Sequence, residues 1–231
     1  MALLGPIPGI DLLGETIGAI ISLLITYYAH KAYRLSGQRS LFLLYVGFLL
    51  IGVGFIAQSA ALLLGAFVPT GTQPTSAAVR EFVRLLVAAV TIGSGIHWLL
   101  EILGYVTIFI AYLYQSKGTQ ANNLPSASNV ALQIVPLSVA RIIFNPGLEL
   151  IIFLLLVFIL IQVIVIYVPR RHRSTLYVIL GFLFLSLAHL AFLLFAFFTE
   201  SAYTIYALGH ILQLTGFLLL LAMLLSTTRG K

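Results

Sequence analysis

Apolar runs of about 20 residues follow one another along this chain, and they restrict its possible folds more than any other feature does. Hydrophobic residues make up 61% of its 231 positions and charged residues only 8%, against roughly 25% charged in an average soluble domain. We therefore predict an all-helical, multi-pass protein of the plasma membrane. We expect a single transmembrane domain over residues 1–231, embedded in the lipid bilayer.

Hydropathy marks six long spans, at about 12–34, 40–67, 82–115, 148–168, 174–198 and 203–226. A further segment, 128–145, is shorter and contains Pro136 and Arg141. Hydropathy alone leaves this segment either crossing the membrane or lying on its surface.

Basic residues collect on the cytoplasmic side of membrane proteins, and this rule distinguishes a chain of six spans from one of seven. With seven spans and the N-terminus outside, Arg80, Arg84 and Arg141 fall outside, as do the acids Asp11, Glu15, Glu81, Glu149 and Glu200. The other basic residues fall inside: Lys31, Arg34, Arg39, Lys117, Arg170, Arg171, Arg173, Arg229 and Lys231. With six spans, the basic loops at 31–39 and 170–173 would lie on opposite faces. We therefore predict a bundle of seven helices with the C-terminus inside.

Two pairs of segments indicate an internal repeat. RSLFLLYVGF at 39–48 aligns without a gap with RSTLYVILGF at 173–182, and LLEILGY at 99–105 aligns with ILQLTGF at 211–217. We predict two parallel triplet repeats, over 12–115 and 148–226, joined by span 128–145 in a 3+1+3 arrangement.

Most of the predicted helices carry polar or small residues at spacings of three and four, which places these residues on one face. Such residues let helices approach closely or bond across them, so we expect these faces to point into the bundle. The residues are Glu15, Gly18, Ser22, Thr26 and His30; Gly47, Gly54 and Gln58; Ser94, His97, Glu101, Gly104 and Tyr105; Gly181, Ser186 and His189; and Tyr206, His210, Gln213 and Gly216.

Three histidines should share the outer half of the bundle. At 1.5 Å per residue, His189 lies about 13 Å and His210 about 10 Å below the outer ends of their helices. His97 lies deeper, and Glu101 lies near the middle of the membrane. A buried acid at that depth is costly and is a functional candidate by default. The expected partner of Glu101 is His97, one turn earlier on the same face.

The first hypothesis for this group is a b-type haem in a redox subunit of a membrane complex. Such a site needs two imidazoles facing each other across a gap, and His189 and His210 would be the axial ligands of the haem iron. His97 could replace either ligand. Gly181, Gly209 and Gly216 would give room for the ring, and Arg80, Arg84 or Arg141 would pair with the propionates.

The second hypothesis is transport of a small solute or of protons. The triplet arrangement resembles that of the SWEET sugar transporters, whose pathway lies between the triplets, although their proline–glutamine motif is absent because Pro136 is followed by Leu137. Glu101 and His97 can change charge and would relay protons or hold the substrate. Gln58, Gln213 and Ser94 would complete that site.

Other readings are weaker or excluded. Ser94 between glycines and His210 in the last helix faintly resemble the Ser–His pair of the rhomboid proteases. Seven helices with the N-terminus outside resemble the microbial rhodopsins, but Lys31, Lys117 and Lys231 all lie near or beyond helix ends, so a retinal pigment is not expected. A structural subunit without a site of its own is a further alternative. We expect other membrane subunits or a homo-oligomer as partners, and no nucleic acid.

Overall fold

The computed structural model describes residues 8–67, 77–117, 146–170, 173–195, 197–198 and 202–229. In these residues the chain forms α1 (Pro8–Ser36), α2 (Arg39–Gly65), α3 (Ala77–Lys117), α4 (Pro146–Arg170), α5 (Arg173–Phe195) and α6 (Ala202–Arg229). All six helices are long and apolar enough to cross a membrane, and many large apolar side chains face outward. The fold is therefore compatible with a multi-pass membrane protein. The predicted span 128–145 lies outside the described residues.

Local sequence explains where the helices begin and end. Gly37 has a φ of 68°, a left-handed conformation that glycine adopts at low cost, and its N–H donates to the carbonyl of Tyr33 at 2.8 Å. This ends α1 and allows α2 to begin at Arg39. Pro146 is the first residue of α4, a position where proline's missing N–H costs nothing.

The six helices form a closed series of contacts. Each helix packs against its neighbour in this order, and α6 packs against α1. The α1–α6 and α3–α4 seams are the least extensive of these contacts. The bundle therefore divides into two halves, α1–α3 and α4–α6, which meet at those two seams.

The helix directions follow from contacts at the two ends of the bundle. Asp11 in the first turn of α1 contacts His210 on α6, and we name this end the Asp11 end. At the other end, the Lys31 end, a cavity is lined by Lys31 near the end of α1, Gln115 near the end of α3 and Ile166 near the end of α4. Thus α3 and α4 run in the same direction.

Two glycine pairs hold the helices of each half together. A Cβ built on Gly104 would lie 2.8 Å from the Gly47 carbonyl oxygen, and a Cβ built on Gly216 would lie 2.8 Å from the Gly181 carbonyl oxygen. The flanking apolar residues also correspond, with Ile51 and Ile108 around the first pair and Leu185 and Leu220 around the second. Glycine is needed here because the two backbones approach too closely for a side chain. The glycines matched in the sequence alignment therefore make matching contacts.

Candidate functional site

Buried and half-buried polar side chains lie together between the middle of the bundle and its Asp11 end. We call this group the polar cluster, and it consists of Asp11, Glu15, His97, Glu101, Tyr105, Glu149, His189 and His210. It draws on every described helix except α2. No lysine or arginine of the described residues takes part in it.

Four residues of the polar cluster form a continuous chain of contacts across three helices. His97 Nε2 lies 3.5 Å from Glu101 Oε2 on α3. Glu101 Oε1 in turn lies 3.6 Å from His189 Nε2 on α5. His189 Nδ1 then makes a hydrogen bond of 2.8 Å with Glu149 Oε2 on α4. The chain therefore joins an acid of one half of the bundle to an acid of the other.

A second contact between the halves lies at the α1–α6 seam. His210 Nε2 is 3.6 Å from Asp11 Oδ1, and Tyr206 also bonds to the Asp11 side chain. The ring of Tyr206 meets the His210 imidazole edge-on at 4.9 Å. Gly14 leaves room for this imidazole, since a Cβ there would lie 2.6 Å from His210 Nδ1.

Several polar atoms of the cluster are buried without a hydrogen-bond partner among the described residues. They include Glu15 Oε2, Glu101 Oε1, the Tyr105 hydroxyl and His189 Nε2. A buried polar group without a partner costs about 1–3 kcal/mol. The described residues therefore leave these atoms unsatisfied, as expected of a site that exchanges a proton or holds a polar ligand.

Charge balance leads to the same conclusion. The cluster holds four carboxyl groups and three imidazoles. Even with every imidazole protonated, four ionised carboxylates would leave a buried negative charge. A buried charge without a partner is strongly unfavourable and is normally removed by protonation. At least one carboxyl group must therefore carry a proton or face a cation.

An apolar layer separates the polar cluster from the cavity at the Lys31 end. Phe48, Phe182 and Phe217 are almost fully buried in this layer, together with Ile108 and Ile159. Phe217 meets the edge of Phe48 at 6.3 Å, and Phe182 meets the edge of Tyr112, which lines the cavity, at 5.7 Å. Large apolar side chains therefore lie between the cluster and the cavity.

Most of the residues predicted to face the interior do so. Ser94, His97, Glu101, His189, His210 and Gln213 are all buried. Gln58 is half-buried, and its Oε1 has no partner among the described residues. His30 is the exception in this set, because it lies exposed near the Lys31 end, where its ring makes a tilted contact with Tyr45.

The two predicted haem ligands, His189 and His210, lie in the same region of the bundle, but they contact different acidic residues. His189 faces Glu149 and Glu101, His210 faces Asp11, and the ring of Phe192 packs against both imidazoles at 5.8 and 5.0 Å. In the part of the chain that the structure describes, no three His, Asp or Glu side chains are grouped so as to hold a metal ion. This arrangement favours hydrogen-bonding imidazoles over axial ligands, and the haem site stays a hypothesis from the sequence.

The Ser–His pair suggested by the sequence does not form. Both ring nitrogens of His210 lack a hydrogen-bond partner among the described residues, so Ser94 does not bond to it. Ser94 is instead a small buried residue one turn from His97 on α3.

Sequence reasoning missed two residues of the polar cluster. Asp11 and Glu149 were predicted only to lie on the outer side with the other acids. Both are buried in the first turns of α1 and α4, where Asp11 contacts His210 and Glu149 hydrogen-bonds to His189. A signal was present for Glu149. The spacing that relates Gly47 to Gly181 also relates Glu15 to Glu149, so both halves carry an acid at the same position.

Comparison with known proteins gives one match. Residues 13–79, under a third of the chain, match the model of a family of unknown function, DUF7521. These residues cover most of α1, the whole of α2 and the start of α3. No curated protein and no solved structure matches the chain.

Proposed function

We propose that this protein is a membrane carrier that couples the movement of a small polar solute to protons, with the polar cluster as its proton-binding site. The observation that carries the proposal is the chain His97–Glu101–His189–Glu149, which runs from one half of the bundle to the other. Acids and histidines buried in membrane helices are typical of proton pathways.

The helix directions support a carrier with seven crossings. The parallel directions of α3 and α4 favour a chain in which residues 118–145 return across the membrane between them. We propose that they do so once, which gives the 3+1+3 arrangement. The matching glycine pairs and the matching acids Glu15 and Glu149 support two parallel repeats. In carriers built from such repeats, the site lies where the repeats meet.

The contacts between the halves suggest how protons and solute are coupled. His189–Glu101 and His210–Asp11 both join one half to the other near the Asp11 end, whereas the glycine pairs act within a half. Changing the charge of Glu101 or His189 alters an attraction between the halves and leaves each half intact. Protonation of either residue therefore shifts the equilibrium between two arrangements, one with the halves in contact at the Asp11 end and one with the halves apart there.

We also propose an orientation. The Lys31 end carries Lys31, Arg34 and Arg39, and α3, α4 and α6 finish there with Lys117, Arg170 and Arg229. Basic residues favour the cytoplasmic side. The Lys31 end then faces the cytoplasm and the N-terminus faces outward.

Infrared difference spectroscopy tests the proton site without knowledge of the solute. The purified protein is compared between acidic and alkaline buffer, and we expect a carbonyl band of a protonated carboxylic acid that disappears in Glu101→Gln. The matched control is Glu81→Gln on the same helix, whose carboxylate is exposed beside Arg84 at 3.8 Å. Unchanged carboxylic-acid bands in Glu101→Gln, with the variant folded, would remove Glu101 as the proton carrier.

A further inference from the structure

The cavity at the Lys31 end lies on the axis of the bundle. Its volume is about 400 Å³, and residues of all six described helices line it. Among them are Ser40, Tyr112, Val163, Thr175 and Leu224. Volumes of roughly 300–1,000 Å³ are usual for small-molecule sites. Because all six described helices line this cavity, it lies between the two halves of the bundle. A carrier built from two halves holds its solute at such a place.

The charge at this cavity has one sign. Lys31 is the charged residue among those that line it, and Arg34 and Arg39 belong to the same end. No acidic residue of the described chain lies there: Asp11, Glu15, Glu101 and Glu149 belong to the polar cluster, and Glu81 lies at the start of α3. The positive charge at the opening of the cavity therefore attracts anions.

The walls restrict which anion fits. Leu41, Leu44, Val163, Val178 and Leu224 contribute apolar surface, and polar contacts come from hydroxyl and amide groups such as those of Ser40, Thr175 and Gln38. Inorganic phosphate would leave the apolar walls in contact with a strongly hydrated ion. Among the described lining residues Lys31 is the one cation, and a cation beside an apolar pocket matches a molecule with one carboxylate and a short hydrocarbon body.

We propose that this cavity is a vestibule that binds small organic monocarboxylates, with Lys31 holding the carboxylate and the apolar walls holding the hydrocarbon part. That the bound molecule is the transported solute rests on the carrier function proposed above, whereas binding in the vestibule does not. Transport together with one proton would make the step electroneutral, which lowers the cost of passing the apolar layer around Phe48, Phe182 and Phe217.

The absence of cysteine from the chain provides a direct test of the vestibule. Ala111→Cys places a thiol in the lining at a position that is 3% exposed. Ala188→Cys is the matched control, because Ala188 is fully buried on α5 and does not line the cavity. Each variant is labelled with an anionic and with a cationic methanethiosulfonate of similar size, and each rate is divided by the rate with free cysteine.

We expect Ala111→Cys to react about tenfold faster with the anionic reagent than with the cationic one, and Ala188→Cys to react with neither. Adding Lys31→Gln should remove this preference, and adding Lys31→Arg should keep it. Propionate should slow the labelling of Ala111→Cys, whereas propionamide, which has the same shape without the charge, should not. Equal rates for both reagents, or slowing by phosphate as strong as that by propionate, would overturn the proposal.

Uptake of radiolabelled propionate by proteoliposomes under an inward proton gradient separates the two proposals. If propionate protects the thiol but no uptake occurs, the vestibule stands and the carrier function fails. If a proton-driven, Glu101-dependent uptake is found for another solute and the thiol shows no preference for the anionic reagent, the carrier function stands and the vestibule proposal fails.

Discussion

His189 lies between two acids, with Nδ1 at 2.8 Å from Glu149 Oε2 and Nε2 at 3.6 Å from Glu101 Oε1. One acid belongs to each half of the bundle, so the imidazole joins the halves through both of its ring nitrogens. Only the Glu149 contact has the length of a direct hydrogen bond. Proton transfer to Glu101 requires the remaining gap to close to about 2.6–3.2 Å, which small rotations of the two side chains can provide.

Removing Glu149 should destabilise the protein strongly. Glu149→Ala leaves the His189 imidazole buried without its hydrogen-bond acceptor, and breaking a buried pair in this way costs about 3–5 kcal/mol. Thermal unfolding of the detergent-purified protein measures the effect. Glu81→Ala is the control, because its exposed pair with Arg84 should contribute about 0–1 kcal/mol. Equal melting temperatures for the two variants would show that the Glu149 contact is not important for stability.

The two glycine pairs should respond to the same change in the same way. Gly104→Ala and Gly216→Ala each place a methyl group 2.8 Å from the carbonyl oxygen of the facing glycine, and overpacking of this kind costs about 1–3 kcal/mol. Gly9→Ala meets no atom within 4 Å and serves as the control. The measurement is again thermal unfolding. A large loss in only one of the two pairs would contradict equivalent roles in the two halves.

Single cysteines should locate the ends of α3 and α4 on opposite sides of the membrane. We expect Pro146→Cys to react with an impermeant maleimide on intact cells and Lys117→Cys to react only after permeabilisation. The reason is the parallel direction of the two helices. Ser36→Cys and Gln38→Cys flank the Gly37 turn and must label from the same side. If Lys117→Cys and Pro146→Cys were labelled from the same side of the membrane, residues 118–145 could not cross it once.

The absorption spectrum of the purified protein tests the haem hypothesis. After expression in haem-replete cells we expect no Soret band, because both imidazoles face carboxyl groups and Phe192 packs against each of them. A stoichiometric Soret band lost in both His189→Ala and His210→Ala would support the haem site and count against the proton site.

Hydropathy predicts the described helices well, since the six observed helices overlap the six long predicted spans. The ends differ by a few residues, most of all in α3, which begins at Ala77 against a predicted start near residue 82. Its first turns carry Arg80, Glu81 and Arg84. These charges lower the hydropathy there without preventing a helix, because exposed charged side chains are compatible with helical structure.

Partners within the site were harder to predict than the site residues themselves. His97, Glu101, His189 and His210 follow from their periodicity, since an inward face is a property of one helix. Which acid meets which histidine depends on helix order and direction, and hydropathy supplies neither. The Glu101–His97 contact was predicted because both residues belong to α3. The Glu149–His189 contact was not, because it joins separate helices and because an acid in a first turn normally faces water.

The uninterrupted course of α3 ties the two ends of the bundle together mechanically. This single rod carries Glu101 at mid-length, the Gly104 contact beside it and Gln115 at the cavity rim. A tilt of α3 about Gly104 would move the two ends of the helix in opposite directions. A shift of a few tenths of an ångström near Glu101 would then become a larger displacement at each end. The close contact between Gly47 and Gly104 would be the pivot of such a tilt.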